Sequence, residues 1–438
     1  MHFRSFSEIT EYLDDFSYRD KSLSPGALRG ERLDRMHILL RHLGNPERSF
    51  RSYHFAGSKG KGSTAAFLAS ALEAAGERCG LYLSPHLIDY RERFTLAGRF
   101  FPDEIYIRTA NRLYELMEGF VLPDGLGSTN PSTFEMYTAY AYMLFKEAGC
   151  TSACIETGLG GRLDATNTLS SEASILTPIE LEHTQILGDT IGKIAGEKAK
   201  IIKEGRPCFV SYQKEEAREV FVREASQKHS EVTFLASEVA GKSYRELENT
   251  SSATVTFRDG SSYTLNLQMR GKVQADNAIL ALLIAKKMGF FCDRTVAALN
   301  STRLPGRFEA VSYRGHRLIF DVAHTKNSIA GTVETFNSIY SRKDNVLVFA
   351  CVDGKDTQSM LSLLLPCFDK VIISRPGVFK ISYPKSTFAL ARSISPDKEM
   401  YLIEDPKEAL EKALSLNSSG AILITGSFYL AGAIEEVM

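Results

Sequence analysis

A repeated unit constrains this chain more than any other feature: a short apolar run, then a turn, then a helical pattern. RSYHFAG, RCGLYLS, SACIETG, ASILTPI and PCFVSY lie within residues 51–212, and RLIFDVA, NVLVFACV, KVIISR and AILITGSF within residues 317–428. Strands alternating with helices predict βαβ units and a mainly parallel sheet in each half. Between the halves, SATVTFRDGSSYTLNLQM alternates around Asp259-Gly260, which predicts a β-hairpin, and the helix NAILALLIAKKMGF follows. LPGRF, at 304–308, brings Pro and Gly together and reads as a hinge. The expected division is a domain over 1–303 and a smaller one over 304–438.

Charge and cysteine content narrow the function classes. Lys plus Arg number 52 against 53 Asp plus Glu, so no global field points to nucleic acid or an anionic membrane. The first residues, MHFRSFSEITEYLDDF, carry acids and no apolar core of a secretory signal. No apolar run approaches the ~18 residues of a membrane span. The 7 cysteines are scattered, mostly inside apolar runs, and read as reduced core thiols of a cytoplasmic protein.

The first unit holds the strongest local signal, HFAGSKGKGST at 54–64. It departs from the usual phosphate loop, G-x-x-x-x-G-K-[ST]. Five positions before Gly60 stands Phe55, and Gly62 follows Lys61 where a hydroxyl residue is usual. The context is nonetheless strand, glycine turn, helix. Ala65, Leu68, Leu72 and Ala75 recur at helical spacing, and Gly76 is a natural stop. Such a turn aims backbone N–H groups and a helix N-terminus at phosphate. Gly57, Gly60 and Gly62 would admit close approach, Lys61 would reach the β- and γ-phosphates, and Ser63 or Thr64 would open the helix. A βα turn with solvated lysines is the bland alternative.

The rest of the chain decides between them. HFAGSKGKGST resembles the H-V-A-G-T-N-G-K-G-S-T loop of the folylpolyglutamate synthase and dihydrofolate synthase family, within the Mur-type ligases. LDRM, LGNP, YLSPHL, ERF, ETGLGGRLDATN, EHTQILGDTIGKIAGEKA, LPGRFE, DVAH and TGSFYL follow in that family's order, from about residue 30 to the C-terminus. The resemblance implies an α/β fold: a P-loop-containing Mur-ligase-like domain with a mainly parallel sheet, then a smaller Rossmann-like domain. It implies an ATP- and Mg²⁺-dependent ligase that phosphorylates a carboxylate of dihydropteroate or a reduced folate. The amine of L-glutamate then attacks the acyl phosphate. A monomer without nucleic-acid or membrane partners is expected. A Mur-type ligase for another acid, or a nucleotide-binding module without ligation, are the alternatives.

Site residues follow from the same resemblance. Glu156 leaves the apolar run SACI, where α/β proteins bind ligands, although position alone also allows a solvated loop acid. The resemblance assigns it to Mg²⁺ with Ser84 and His183. Taken alone, Ser84 is a pre-proline turn residue and His183 a structural histidine, and imidazole is an unusual Mg²⁺ ligand. Lys198, by itself an exposed helix lysine, matches a lysine carbamylated in the family to hold a second Mg²⁺. That reaction needs a depressed pKa. Arg307 and His324 are expected at phosphate and Asp321 at ribose. Asn277 is expected at adenine, unless it is only an N-cap. The catalytic set is thus Lys61, Glu156, His183, Lys198 and His324. Lys59 replaces the family Asn, Val273 its His, Glu182 its Asp, and Thr325-Lys326 its Asn-Pro.

Overall fold

A computed structural model of the protein describes residues 2–19, 32–247, 249–340, 344–377 and 381–438. The first sheet contains β1 (Arg51–Ala56), β2 (Cys79–Tyr82), β3 (Phe94–Leu96), β4 (Ser152–Glu156), β5 (Ala173–Leu176), β6 (Cys208–Val210) and β7 (Val232–Phe234), in the order β3-β2-β4-β1-β5-β6-β7. Only β3 runs antiparallel to its neighbour. The inner strands are buried almost throughout, as a parallel sheet covered on both faces requires. Alternate residues feed opposite cores. Cys154 joins Phe55 and Leu81 beneath the helix Lys61–Ala74, whereas Ala153 and Ile155 join Tyr82 beneath Asp103–Met117 and Thr133–Glu147.

The helix Lys61–Ala74 is buried on nearly every side. The sheet lies under one face, and the helices Lys272–Lys287 and Thr295–Ser301 cover the other. It ends as expected at Gly76, whose φ is 97°; Gly76 N–H donates to Glu73 and Glu77 N–H to Leu72. A second sheet, β8 (Val239–Glu246), β9 (Ser251–Phe257) and β10 (Ser262–Leu267), is antiparallel throughout. The expected hairpin is β9–β10, turning at Gly260 with φ 84°. Its inner residues Val255, Phe257 and Leu265 complete the core around Lys61–Ala74.

The third sheet holds β11 (Glu309–Tyr313), β12 (His316–Asp321), β13 (Val346–Phe349), β14 (Lys370–Ile373), β15 (Glu399–Leu402) and β16 (Ala421–Thr425), in the order β11-β12-β16-β13-β14-β15. Only β11 is antiparallel. It meets the first half closely. A Cβ on Gly432 would stand 2.4 Å from the Leu87 carbonyl, so any side chain there would push the two halves apart.

Three readings are corrected. Lys198 is no exposed helix lysine: its side chain is 2% exposed. Asn277 does not cap its helix, because that helix begins at Lys272 with Gly271 as N-cap, leaving Asn277 buried inside it. His183 is exposed, with no side-chain hydrogen bond among the described residues, so it is not a tethered structural histidine. All 7 cysteines are free thiols, and all but Cys292 are buried.

Candidate active site

β1 ends at Ala56, and the loop from Gly57 to Gly60 carries the chain into the helix Lys61–Ala74. Close packing explains the glycines. A Cβ on Gly57 would lie 1.8 Å from Thr177 Oγ1, and one on Gly60, where φ is 81°, would lie 2.7 Å from Asn277 Oδ1. A Cβ on Gly62 would stand 3.1 Å from Glu156 Oε2. This is a physical reason for glycine between Lys61 and Ser63: the β4 carboxylate occupies the space that a hydroxyl residue would take.

Three lysines converge on this loop. Lys61 Nζ donates to the Gly57 carbonyl at 3.1 Å and lies 3.5 Å from Glu156 Oε1. Lys198 Nζ donates to the same carbonyl at 2.7 Å and to Glu182 Oε1 at 3.0 Å. Lys59 Nζ reaches the other half of the protein, 3.3 Å from His324 Nε2. Glu156 also accepts the Ser84 N–H at 3.2 Å. Burial pushes its carboxyl pKa up, partly offset by Lys61, Ser84 and Arg307. Burial likewise lowers the Lys198 ammonium to about 8, with Lys61 adding to the effect and Glu182 opposing it. For Glu182, burial acts upward, but Lys198, Lys61 and Lys59 outweigh it and hold the carboxyl below its usual range.

The facing half contributes Arg307, Asp321 and His324. The Arg307 guanidinium lies 4.9 Å from the Phe428 ring centroid and within electrostatic reach of Asp321 and Glu156. Asp321 Oδ1 accepts from Ala323 N–H at 2.9 Å and from the Thr332 hydroxyl at 3.0 Å. His324 Nδ1 lies 2.9 Å from the Val322 carbonyl, which requires N–H at Nδ1 and leaves Nε2 to accept from Lys59. Burial and Lys59 lower its pKa to about 3, so the ring is neutral. Thr325 caps the helix Lys326–Ile339 by accepting from Ser328 N–H. Asn and Thr are both favoured N-cap types, so the exchange is compatible with this helix start.

The structure therefore brings together Gly57, Gly60, Lys61, Gly62, Ser84, Glu156, Lys198 and Asn277, and sets Arg307, Asp321 and His324 opposite them. His183 precedes the short helix Thr184–Leu187 with φ 46°, exposed at the rim of the site but within electrostatic reach of Lys198 and Lys61. Sequence reasoning missed the pairing of Lys198 with Glu182. The exchange of Asp for Glu was its only signal.

These residues suit phosphate and a hard cation. In an α-helix the first amides, here those of Lys61, Gly62 and Ser63, lack intrahelical partners. The Thr64 hydroxyl is buried without a partner, as is that of Thr157 beside Glu156. Amides, orphan hydroxyls and a lysine cluster suit a polyphosphate. Glu156 is the hard oxygen donor that Mg²⁺ takes, the remainder normally coming from phosphate and water. Among the described residues no three His, Cys, Asp or Glu side chains form a metal site on their own.

Comparison with known proteins agrees with this layout. The Mur ligase middle domain matches residues 55–285, and the Mur ligase glutamate ligase domain matches 306–428. The dihydrofolate synthase/folylpolyglutamate synthase of Bacillus subtilis (strain 168) is 31% identical, over 98% of this chain and 99% of its own. This chain belongs to the dihydrofolate synthase/folylpolyglutamate synthase family of Mur ligases. A second family member, a probable dihydrofolate synthetase of Schizosaccharomyces pombe, is 30% identical over 91% of this chain and 96% of its own. The folylpolyglutamate synthase of Mycobacterium tuberculosis, crystallised with ADP and AMPPCP, superimposes with a TM-score of 0.84. It is 28% identical and covers 92% of this chain and 95% of its own.

Proposed function

We propose that this protein is an ATP-dependent ligase that joins L-glutamate to a carboxylate of dihydropteroate or a reduced folate through an acyl phosphate. Membership of a family of such synthases over the full chain carries this reading, and the lysine-rich loop facing His324 suits it. No described helix is long and apolar enough to cross a membrane. We place the enzyme in the cytoplasm as a monomer, since both walls of the site come from one chain, and divide its domains after residue 303.

Each group has work in that reaction. The first-turn amides and Lys61 hold the triphosphate, with Ser63 and Thr64 adding hydroxyls. Asn277, against Gly60, faces adenine, and Asp321 faces ribose through its remaining carboxylate oxygen. Glu156 and Ser84 would hold Mg²⁺, which when bound neutralises phosphate charge and aligns the terminal group. His183, at the rim within electrostatic reach of Lys198 and Lys61, would join them. Lys198, carbamylated, would supply a second carboxylate for metal. Arg307 balances the charge of the acyl phosphate, and neutral His324 holds the Lys59 ammonium at the site through Nε2. Contact between the halves excludes water from the acyl phosphate.

Two outcomes test this directly. With Mg-ATP and L-glutamate, purified enzyme should release ADP on addition of dihydropteroate or of a reduced folate monoglutamate, and release should stop without glutamate. Release that ignores glutamate would mean a plain ATPase. Carbamylation adds a pH prediction. Only the neutral amine reacts with CO₂, and Lys198 loses its proton at about 8, against the usual 10.5. After CO₂ depletion, reactivation at a fixed concentration of dissolved CO₂ should therefore speed up about tenfold per pH unit up to about pH 8, then level off. The carbamate anion would face Glu182, so Mg²⁺ should strengthen the effect. Reactivation independent of pH between 6 and 8 would sink the assignment.

A further inference from the structure

We propose that Lys59 is a catalytic residue whose ammonium grips the terminal phosphoryl group of the nucleotide as that group passes to the carboxylate acceptor. This rests on the ligase reading above.

The observation is an ammonium short of negative partners. Lys61 is turned inward to Gly57 and Glu156, and Lys198 to Gly57 and Glu182. Lys59 alone of the three points across to the other half. Its side-chain partner is a neutral imidazole, and among the described residues no carboxylate lies within 4.0 Å of Nζ. Glu182 and Glu180 attract it from farther away, but Glu182 is committed to Lys198 and Glu180 accepts from Asn327 at 3.1 Å. Lys61 and Lys355, the latter on the loop after β13, repel it. Burial sharpens the deficit and lowers its pKa. A largely desolvated ammonium without a paired carboxylate is stabilised when an anion joins it.

Position says which anion. The backbone N–H groups of Ser58 and Lys59 both donate to the Pro178 carbonyl, at 2.9 and 3.3 Å. They are therefore not free to cradle phosphate, and this part of the loop contributes through the Lys59 side chain. His324, fixed by Val322, holds that ammonium where the loop meets the facing half, next to the helix N-terminus that would carry the phosphates. In the step, the bond from the γ-phosphorus to its bridging oxygen breaks while a bond to the acceptor carboxylate oxygen forms. ADP keeps the bridging electron pair, and Lys59 keeps its proton throughout. Its charge counts most when negative charge is spread over the transferring oxygens.

The test compares wild type with Lys59→Met, Lys59→Gln and Lys59→Arg. ADP and AMPPCP affinities are measured by calorimetry with MgCl₂, and kcat and KM by ADP release. Methionine and glutamine should leave ADP affinity within about twofold, weaken AMPPCP about tenfold and lower kcat about 10²-fold, with arginine restoring most of both. An unchanged ratio of AMPPCP to ADP affinity would overturn the proposal. So would a rise confined to the KM for glutamate, which would assign the ammonium to the amino-acid carboxylate. If the AMPPCP preference depends on Lys59 but no acceptor supports ADP release, the ligase reading fails and the contact with the terminal phosphate stands.

Discussion

Lys198→Ala should lower ligation about 10³-fold, and acetate or formate should recover part of it. The side chain is one of the largest fully buried ones in the protein, tied to Glu182 and to the carbonyl of Gly57. Removing it would delete the proposed carbamate, open a cavity, and leave Glu182 half of a broken pair. Breaking such a buried pair costs about 3 kcal/mol, so a lower unfolding midpoint alone would be ambiguous. Two controls separate the effects. Lys198→Met keeps the volume and should recover stability without recovering activity. Small carboxylic acids should help only the alanine variant, where there is room for them beside the metal position. Full activity in Lys198→Met would remove the carbamate from the mechanism.

Gly57→Ala should cost about 3 kcal/mol and lower the thermal midpoint by roughly 6 °C. The added Cβ would fall 1.8 Å from Thr177 Oγ1, 2.9 Å from Thr177 Cβ and 3.0 Å from its carbonyl carbon. Two of those atoms belong to β-carbon and backbone and cannot swing away. Because Gly57 O receives both Lys61 and Lys198, any retreat of the loop displaces both side chains together. Activity should thus fall by more than the stability loss explains at temperatures where the variant is folded. Thr177→Ala in the same chain removes the nearest atom and should restore part of the midpoint but not all. Complete additivity of the two single substitutions would show that they do not touch.

The contrast between strands that were legible and strands that were not is instructive. β1, β2, β4, β5, β6, β12, β13, β14 and β16 were all anticipated, and each lies inside a parallel sheet. β3, β7, β8, β11 and β15 were not, and every one is a sheet edge; β10 is an edge too, but its hairpin turn with β9 at Asp259-Gly260 marks it. An inner strand is covered on both faces, so its sequence becomes a continuous apolar run. An edge strand such as β8 leaves most of its residues exposed, and its amino acids carry no such mark.

The active-site residues divide along the same line. Sequence alone determined the order of parts: a glycine-lysine loop after a strand, a carboxylate closing β4, a second α/β half beginning at LPGRF. These are local patterns, written wherever chain direction and burial repeat. Tertiary structure alone decided what each charged side chain does. Lys59, Lys61 and Lys198 look alike in sequence, yet one faces His324, one Glu156 and one Glu182. Glu156 explains Gly62, and Thr177 explains Gly57, across more than ninety residues of chain. The cause is that electrostatic energy depends on distance and burial, and neither is set until the strands carrying these groups are packed side by side.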